Sequence, residues 1–492
     1  MELRNCLSLT ACLIVASTAW ADQGRISGMG DPVGLIKDDT DYLVHPSLLS
    51  PSRVNYFLNY SASYDKTKDW NINAHGEGTA LAHQIDLGGQ GEWSFSNHGG
   101  SHTHKVQLGV EVPTLGGSWA AILEYTTNQG KYDNGQAMQG VAYAWTMDDE
   151  ERNWNARFLY ATKVDTYQLG LEFQLGHKND KNDQFDTNAQ HADPNFAWGG
   201  NNFDQFMYMI PCNSRYYEAN TKLSFSGGEE NRTWAITFKA GLPFAADNQY
   251  ASGFMGRALP VMKGDVQGFN AGADLWLRVA AGPQLSIPFT LSGETRRLQR
   301  TGADAASGNN YKETTGNDHL GLGFGLDYAA SPSSRIATGL YFDHSHYRQD
   351  FYSNTTYLFF AGVYDYSQFP DLRENRVTLK TSLEQTLSPA TTLRAGLNLF
   401  YGRVNMTYTD YVQYAATTVD MPSQGSDKGL SLSVGATLKT AALRVEPFIA
   451  YTNTRSANNG DWTTTIRSTV HPRTGEFLKT DQIWTAGMTF RY

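Results

Sequence analysis

The chain ends in Trp484-Thr485-Ala486-Gly487-Met488-Thr489-Phe490-Arg491-Tyr492, a stretch in which apolar and polar residues alternate. Side chains of a β-strand point to opposite faces in turn. One face of this strand would therefore carry Trp484, Ala486, Met488, Phe490 and Tyr492. A soluble protein rarely exposes such a stripe, whereas the last strand of a membrane β-barrel has lipid on one side and the lumen on the other. We therefore predict that this strand spans a membrane.

The same segment is similar to the C-terminal insertion signal of bacterial outer-membrane barrels. That signal has a polar residue, a glycine two positions later, and aromatic residues at the antepenultimate and final positions. The matching residues are Thr485, Gly487, Phe490 and Tyr492. The resemblance implies the outer membrane of a Gram-negative bacterium as the location. It also implies outer-membrane lipid and the barrel-assembly machinery as partners.

The first 21 residues have the layout of a secretory signal peptide. Arg4 precedes an apolar run from about Leu7 to Ala16, and Ala19-Trp20-Ala21 supplies small residues before the expected cleavage at Asp22. The run is too short to cross a bilayer as a helix. Cleavage would remove Cys6 and Cys12 and leave Cys212 alone, so we expect no intramolecular disulfide.

The composition fits a barrel that occupies residues 53–492 as one domain. No segment is continuously apolar for the ~20 residues of a membrane helix. Only a closed sheet otherwise satisfies its backbone polar groups in lipid. Aromatic residues make up 13% of the chain and glycine contributes 47 of 492 residues. The net charge of −10 argues against nucleic acid as a partner.

Alternating segments of about ten residues recur along the chain, as membrane barrel strands require. Clear examples lie at 169–175, 285–291, 320–326 and 430–436. Short connections alternate with long ones, which predicts short periplasmic turns and long extracellular loops. Counting back from the C-terminus predicts an all-β, antiparallel barrel of about 14 to 18 strands, with 14 or 16 favoured because such barrels are usually even. A propeller would need similar blades at roughly 40–50-residue spacing, and the sequence has none.

Residues 22–52 precede the first clear strand. They contain Asp38, Asp39 and Asp41, followed by His45-Pro46-Ser47-Leu48-Leu49. Here the chain resembles the long-chain fatty-acid transporter (FadL-like) family, whose members have an acidic stretch, then Asn-Pro-Ala-x-x-Leu, within a short N-terminal hatch. His45 stands where that pattern has Asn, and Ser47 where it has Ala. The resemblance implies a lumen plug that moves to release an apolar ligand; the alternative is a periplasmic lead-in.

Charged residues at inward positions of the predicted strands are candidates for lumen selectivity, because a charge facing lipid at mid-membrane costs roughly 2–4 kcal/mol. The selected candidates are Arg278, Glu294, Arg296, Arg335, Arg376, Lys380 and Arg394. Mixed signs predict either a weakly selective pore or internal ion pairs. Arg296, Arg297 and Arg300 form the densest basic group, at the mouth of an outer loop, where they are either a solvated strand end, which is favoured, or an anion-attracting constriction.

No pattern in the sequence points to an enzyme, a metal or a cofactor. His102 with His104, and His344 with His346, are paired on strand faces but lack further ligands at suitable spacing. We therefore predict a porin-like outer-membrane channel that passes a small-molecule solute and could form a homo-oligomer. Two alternatives stay open. One is a FadL-like transporter of hydrophobic compounds, and the other is a barrel that sheathes a partner such as a periplasmic cytochrome.

Overall fold

The computed structural model describes part of the chain. The described residues are 27, 29, 34–36, 41–77, 90–138, 141–188, 212–229, 232–250, 253–254, 257–258, 262–303, 310–357, 362–412, 417–420, 423–440, 443–466 and 469–492. The predicted signal peptide lies outside them. No helix among these residues has the length and apolar character needed to cross a membrane.

Sixteen long strands form the body of the structure. They are β1 (Asn55–Glu77), β2 (Gln90–Thr114), β3 (Gly117–Met138), β4 (Val141–Val164), β5 (Tyr167–Asn188), β6 (Cys212–Glu229), β7 (Arg232–Tyr250), β8 (Val266–Ala280), β9 (Leu285–Ala303), β10 (Asn310–Ser331), β11 (Ser334–Tyr357), β12 (Gly362–Ser388), β13 (Thr391–Val412), β14 (Ser423–Lys439), β15 (Arg444–Ile466) and β16 (Thr469–Arg491). Four short strands lie between them, at Gly253–Phe254, Arg257–Ala258, Met262–Gly264 and Thr417–Asp420.

The sixteen strands close into a barrel. Each pairs antiparallel with its neighbours in sequence, and β1 also pairs with β16 from Phe57 opposite Arg491 onward. The C-terminal residue completes this seam, because Tyr56 N donates to Tyr492 O at 3.1 Å and Tyr492 N donates to Tyr56 O at 2.9 Å. Closure leaves no strand edge among the sixteen, which is the condition for a sheet to cross a lipid bilayer.

The two ends of the barrel differ. At one end, short connections join each even-numbered strand to the strand that follows it, from β2–β3 to β14–β15. β1 begins and β16 ends at this same end. We name it the turn end and the opposite one the loop end. Outer-membrane barrels place their short turns in the periplasm, so the turn end corresponds to the periplasmic side of the predicted topology.

The two faces of the wall have opposite character. On β10, Leu320, Leu322, Phe324 and Leu326 are 37–54% exposed, whereas the carboxylate residue Asp327 is 2% exposed. The same holds on β5, where Leu171 and Phe173 point outward around the buried Glu172. An exposed apolar belt around a polar interior is the reverse of a soluble protein and fits lipid outside. The predicted all-β membrane barrel is thereby confirmed.

The strands continue beyond the segments that hydropathy marks. Fourteen strands run from β3, which begins at Gly117, to β16, and the two strands before β3 bring the number to sixteen, one of the two values favoured by the prediction. Their lengths reach 27 residues in β12. A tilted membrane strand needs only about 9–11 residues. Apolar alternation therefore marks the part in contact with lipid, while polar hairpins extend past it at the loop end and occupy stretches expected to be loops.

We predict that Phe324→Arg destabilises the barrel by about 2–4 kcal/mol, because Phe324 lies at the centre of the outward apolar run of β10. Tyr328→Arg, on the same face but near the turn end, should cost only about 0–1 kcal/mol. Urea unfolding of both variants in lipid vesicles measures the difference. Equal losses would contradict the assigned position of the membrane.

Candidate functional site

The described residues of the N-terminal segment (residues 22–52) that contact the wall lie in the lumen near the turn end. Its described part contains two short 3-10 helices, Asp41–Leu43 and Pro46–Leu48. Pro46 begins the second of these, at a position where its missing N–H removes no helical hydrogen bond. Turn bonds hold the segment compact, with His45 N donating to Asp41 O at 2.8 Å and Leu48 N to His45 O at 2.8 Å.

Apolar side chains of the segment pack on an apolar patch of the lumen wall. Tyr42, Leu43 and Leu49 are each less than 5% exposed. Their cluster partners on β1, β3 and β4 are Phe57, Ala120, Ile122, Leu159 and Ala161. These wall residues occupy inward positions that elsewhere hold polar groups. The patch would face water if the segment left, so its burial contributes to docking by the hydrophobic effect.

A row of hydroxyl groups holds the centre of the segment. His45 Nδ1 lies 2.8 Å from Thr237 Oγ1, and Ser47 Oγ lies 2.8 Å from Ser224 Oγ. Thr237 also donates to Ser224 at 2.9 Å, which joins the two contacts into one chain across β6 and β7. All four side chains are buried. Removing one partner would leave a buried polar group unsatisfied, at a cost of about 1–3 kcal/mol.

One wall glycine makes the close approach of the segment possible. A Cβ built at Gly170 on β5 would lie 2.0 Å from Ser47 N and 2.3 Å from the Pro46 carbonyl carbon. Backbone of the segment therefore rests directly on this strand. Any larger side chain at Gly170 would have to displace the segment.

Two cations hold a single carbonyl of the segment. Leu43 O accepts hydrogen bonds from Arg157 Nη2 at 2.9 Å and from Lys222 Nζ at 2.8 Å. Both cations also pair with Glu172, at 2.8 and 3.3 Å, so one carboxylate stands between them. Charge-assisted hydrogen bonds of this kind are stronger than neutral ones, and they fix the segment to β4, β5 and β6.

An earlier part of the segment makes a second set of contacts with the wall. Trp276 Nε1 donates to Gly34 O at 3.1 Å, and Ser382 Oγ donates to Met29 O at 2.8 Å. Leu35 is buried against the facing glycines of β10 and β11, where the wall has no side chains. The segment thus contacts strands on both sides of the lumen.

Of the hatch residues expected from the sequence, some contact the lumen wall and others do not lie among the described residues. His45 and Pro46 are buried in the contacts described above. Asp41 is partly buried and accepts the turn hydrogen bonds through its carbonyl. Asp38 and Asp39 lie outside the described residues. Tyr42 was not among the expected residues, although its hydroxyl donates to Glu111 Oε1 at 2.7 Å.

Burial sets the protonation of His45. Its pKa is lowered from 6.5 to about 4, and desolvation by burial is the largest cause. Asp274 acts to raise the pKa, whereas Lys222 and Lys239 act with burial to lower it. The docked imidazole is therefore neutral at physiological pH.

The lumen candidates all lie on the inward face, and most are paired with opposite charge. Arg278 and Arg335 share Asp327, Arg376 pairs with Glu374 and Asp427, and Arg394 with Glu384 and Glu446. Arg296 pairs with Glu218 at 3.2 Å, and Lys380 Nζ lies 4.6 Å from the centre of the Tyr341 ring. Glu294 is half-exposed and 3.8 Å from Lys239. The suggested triple-arginine group is split, because Arg297 faces outward to Asp318.

Several contact residues escaped prediction because their types are unremarkable. Ser224, Thr237 and Gly170 carry no charge and match no motif, and Ser47 departs from the FadL-like pattern, which has Ala at its position. A usable signal was present on β3, where Trp119-Ala120-Ala121-Ile122-Leu123 is apolar on both faces. A lumen face without polar groups requires an apolar cover, and the N-terminal segment supplies it here.

Among the described residues, no group of three or more His, Cys, Asp or Glu side chains is arranged to hold a metal ion. The fold is that of an outer-membrane β-barrel, with a peptide segment of the same chain in its lumen. No protein-family model matches the sequence, and no curated protein matches it.

Solved structures similar to this one include two proteins of Pseudomonas. The toluene transporter TodX of Pseudomonas putida is 10% identical, with a TM-score of 0.42 over 95% of this chain and 96% of that one. A FadL homologue of Pseudomonas aeruginosa is 10% identical, with a TM-score of 0.40 over 96% and 98%. The resemblance noted in the sequence thus recurs among solved structures.

We predict that Ser47→Cys with Ser224→Cys, in a Cys212→Ala background, forms a disulfide on mild oxidation, because the two hydroxyl oxygens are 2.8 Å apart. A gel shift after unfolding detects the cross-link. The matched control is Ser47→Cys with Ser382→Cys, since Ser382 contacts Met29 instead. Equal cross-linking of the two pairs would contradict the docked position of Ser47.

Proposed function

We propose that this chain is a gated outer-membrane transporter of small apolar compounds, in which the N-terminal segment is the plug. The observation that carries the proposal is the burial of Tyr42, Leu43 and Leu49 against the apolar patch of the lumen wall. A porin needs an open, hydrated lumen, and a barrel that sheathes a cytochrome needs a wide one. A lumen occupied by an apolar segment of the chain supports neither as well as a plugged transporter.

The compensated charges of the wall support an apolar solute. Selectivity for an ion depends on which charges ring the narrowest point. Here Arg278, Arg296, Arg335, Arg376 and Arg394 already have carboxylate partners. Beyond the plug, toward the loop end, Tyr216, Val266 and Leu298 form a buried apolar cluster on the inward face. This cluster offers an apolar compound its first contact inside the lumen.

A porin-like channel is the second candidate, favoured by the many inward polar groups that would hold water. The two functions differ in what they pass. A porin would let disaccharides swell proteoliposomes with the segment in place. The plugged transporter would not, but would speed cellular uptake of a small radiolabelled hydrocarbon. Oxidised Ser47→Cys/Ser224→Cys protein should lose that uptake and recover it on reduction.

We predict that the intact protein gives no steady conductance in a planar bilayer, and that deleting residues 22–52 produces it. Gly170→Leu should act in the same direction without shortening the chain, because its side chain would occupy the space of the Pro46–Ser47 backbone. Gly293→Leu is the matched control, since the nearest atom to a Cβ there is 4.0 Å away. Steady conductance from the intact protein would contradict the plug and favour the porin.

We predict that acid loosens the plug through His45. A released imidazole has a pKa near 6.5, whereas the docked one has a pKa of about 4. Below pH 6.5 the released state therefore binds a proton that the docked state does not. Docking is strongest above pH 6.5 and weakens as pH falls toward 4. Between pH 7.5 and 5.5, the ratio of released to docked segment should rise about tenfold, or about 1.4 kcal/mol.

Opening frequency in planar bilayers at the two pH values measures this rise. His45→Asn is the control, because an amide can still hydrogen-bond Thr237 but does not titrate. Retention of the full pH response in that variant would assign it to other groups. Lys222, Lys239 and Asp274 are the charged groups that face His45.

A further inference from the structure

An aromatic ledge crosses the outward face of four neighbouring strands. Trp154 on β4 stacks on His177 of β5, with ring centres 5.9 Å apart. His177 contacts Tyr217 of β6 at 4.9 Å, and Tyr217 stacks on Phe244 of β7 at 5.7 Å. These four residues are directly opposite one another in the strand register. They form a continuous row at the loop-end edge of the apolar band.

Two arginines stand in the next outward row above the ledge. Arg152 is opposite Asn179, and Asn179 is opposite Arg215. Both arginines lie two residues closer to the loop end than Trp154 and Tyr217 of their own strands. The Arg152 side chain is 55% exposed and is ion-paired with Glu150, to which its Nε donates at 2.7 Å. Arg215 is exposed, and its Nε donates to Asn179 Oδ1 at 3.3 Å. Guanidinium groups bind phosphate in a bidentate manner.

The position of these two rows along the barrel axis indicates which part of the membrane they contact. Below the ledge, toward the turn end, the same face exposes Phe158, Phe173, Leu223 and Phe238 to the membrane interior. Aromatic residues at the end of an apolar band lie at the level of lipid headgroups. The arginines just beyond them therefore reach the charged part of the leaflet at the loop end.

We propose that the ledge and the two arginines, which we call the ledge site, bind a glycolipid of the outer leaflet whose sugars carry phosphate. Flat aromatic rings accept the apolar faces of sugar rings, while Arg152 and Arg215 bind the phosphates on either side of Asn179. A phospholipid with one phosphate and no sugar satisfies only half of the site. The ledge site lies on the outside of the barrel and is independent of the plug and of the transported compound.

The test uses the full chain, refolded in nonionic detergent and titrated with single lipids under native mass spectrometry. The probes are bisphosphorylated lipid A, the same lipid without phosphates, and phosphatidylglycerol. Arg152→Gln/Arg215→Gln should bind lipid A about tenfold more weakly, down to the level of its dephosphorylated form, since each cation near an anionic surface contributes several-fold. Trp154→Leu/Tyr217→Leu should weaken both glycolipids and leave phosphatidylglycerol unchanged.

Arg232→Gln/Lys163→Gln is the matched control, because it removes the same charge from exposed residues at the turn end. Unchanged far-ultraviolet circular dichroism verifies that each variant has folded. The proposal is overturned if the Arg152/Arg215 variant binds lipid A like the wild type, or if the control pair loses as much. Equal affinity of the wild type for phosphatidylglycerol and lipid A would also overturn it.

Discussion

Lipid offers no hydrogen bonds to a peptide backbone, and this constraint organises the whole molecule. Every strand must have two neighbours, so the first and last strands have to meet, and Tyr56 with Tyr492 completes their seam. Once the sheet is closed, each strand must send half of its side chains into the lumen. Closure of the sheet therefore produces the lumen wall, and function depends on what fills the lumen.

The buried charges of the lumen wall are paired in an arrangement that occurs twice. A buried carboxylate stands between two cations from different strands: Glu172 between Arg157 and Lys222, and Asp327 between Arg278 and Arg335. Unpaired, such charges would be costly to bury. Each arrangement has more donors than its carboxylate can use. The surplus donors reach peptide carbonyls of the N-terminal segment, at Leu43 and Leu35. A peptide with free carbonyls is therefore a chemically suitable plug for this wall.

Much of the fold could be predicted from the sequence because lipid imposes a period of two on each strand. That period assigns Leu320 and Asp327 to opposite faces without knowledge of any neighbour. Ion pairs such as Arg157 with Glu172 could not be derived, since they depend on the register between strands. The resemblance to the FadL-like family implied a plug in the lumen, but the contacts of the segment with the wall could not be derived from the sequence. The acidic residues of the segment stood out in the sequence, whereas contacts with the wall are made by Tyr42, Leu43 and Ser47. The partners of such residues are distant along the chain: Thr237, which contacts His45, is 192 residues away.

In the proposed transporter, the contacts of the segment must hold it in the lumen and still allow its release. Each neutral hydrogen bond contributes only about 0.5–1.5 kcal/mol net, because water replaces it on release. Leu43 and Leu49 add apolar burial, but they pack on a patch that an apolar solute could cover in their place. A solute of that kind would compete with the segment for the same wall, whereas a sugar or an ion would not. In the proposed transporter, the composition of the docking surface would thus couple release of the segment to the chemistry of the compound that passes.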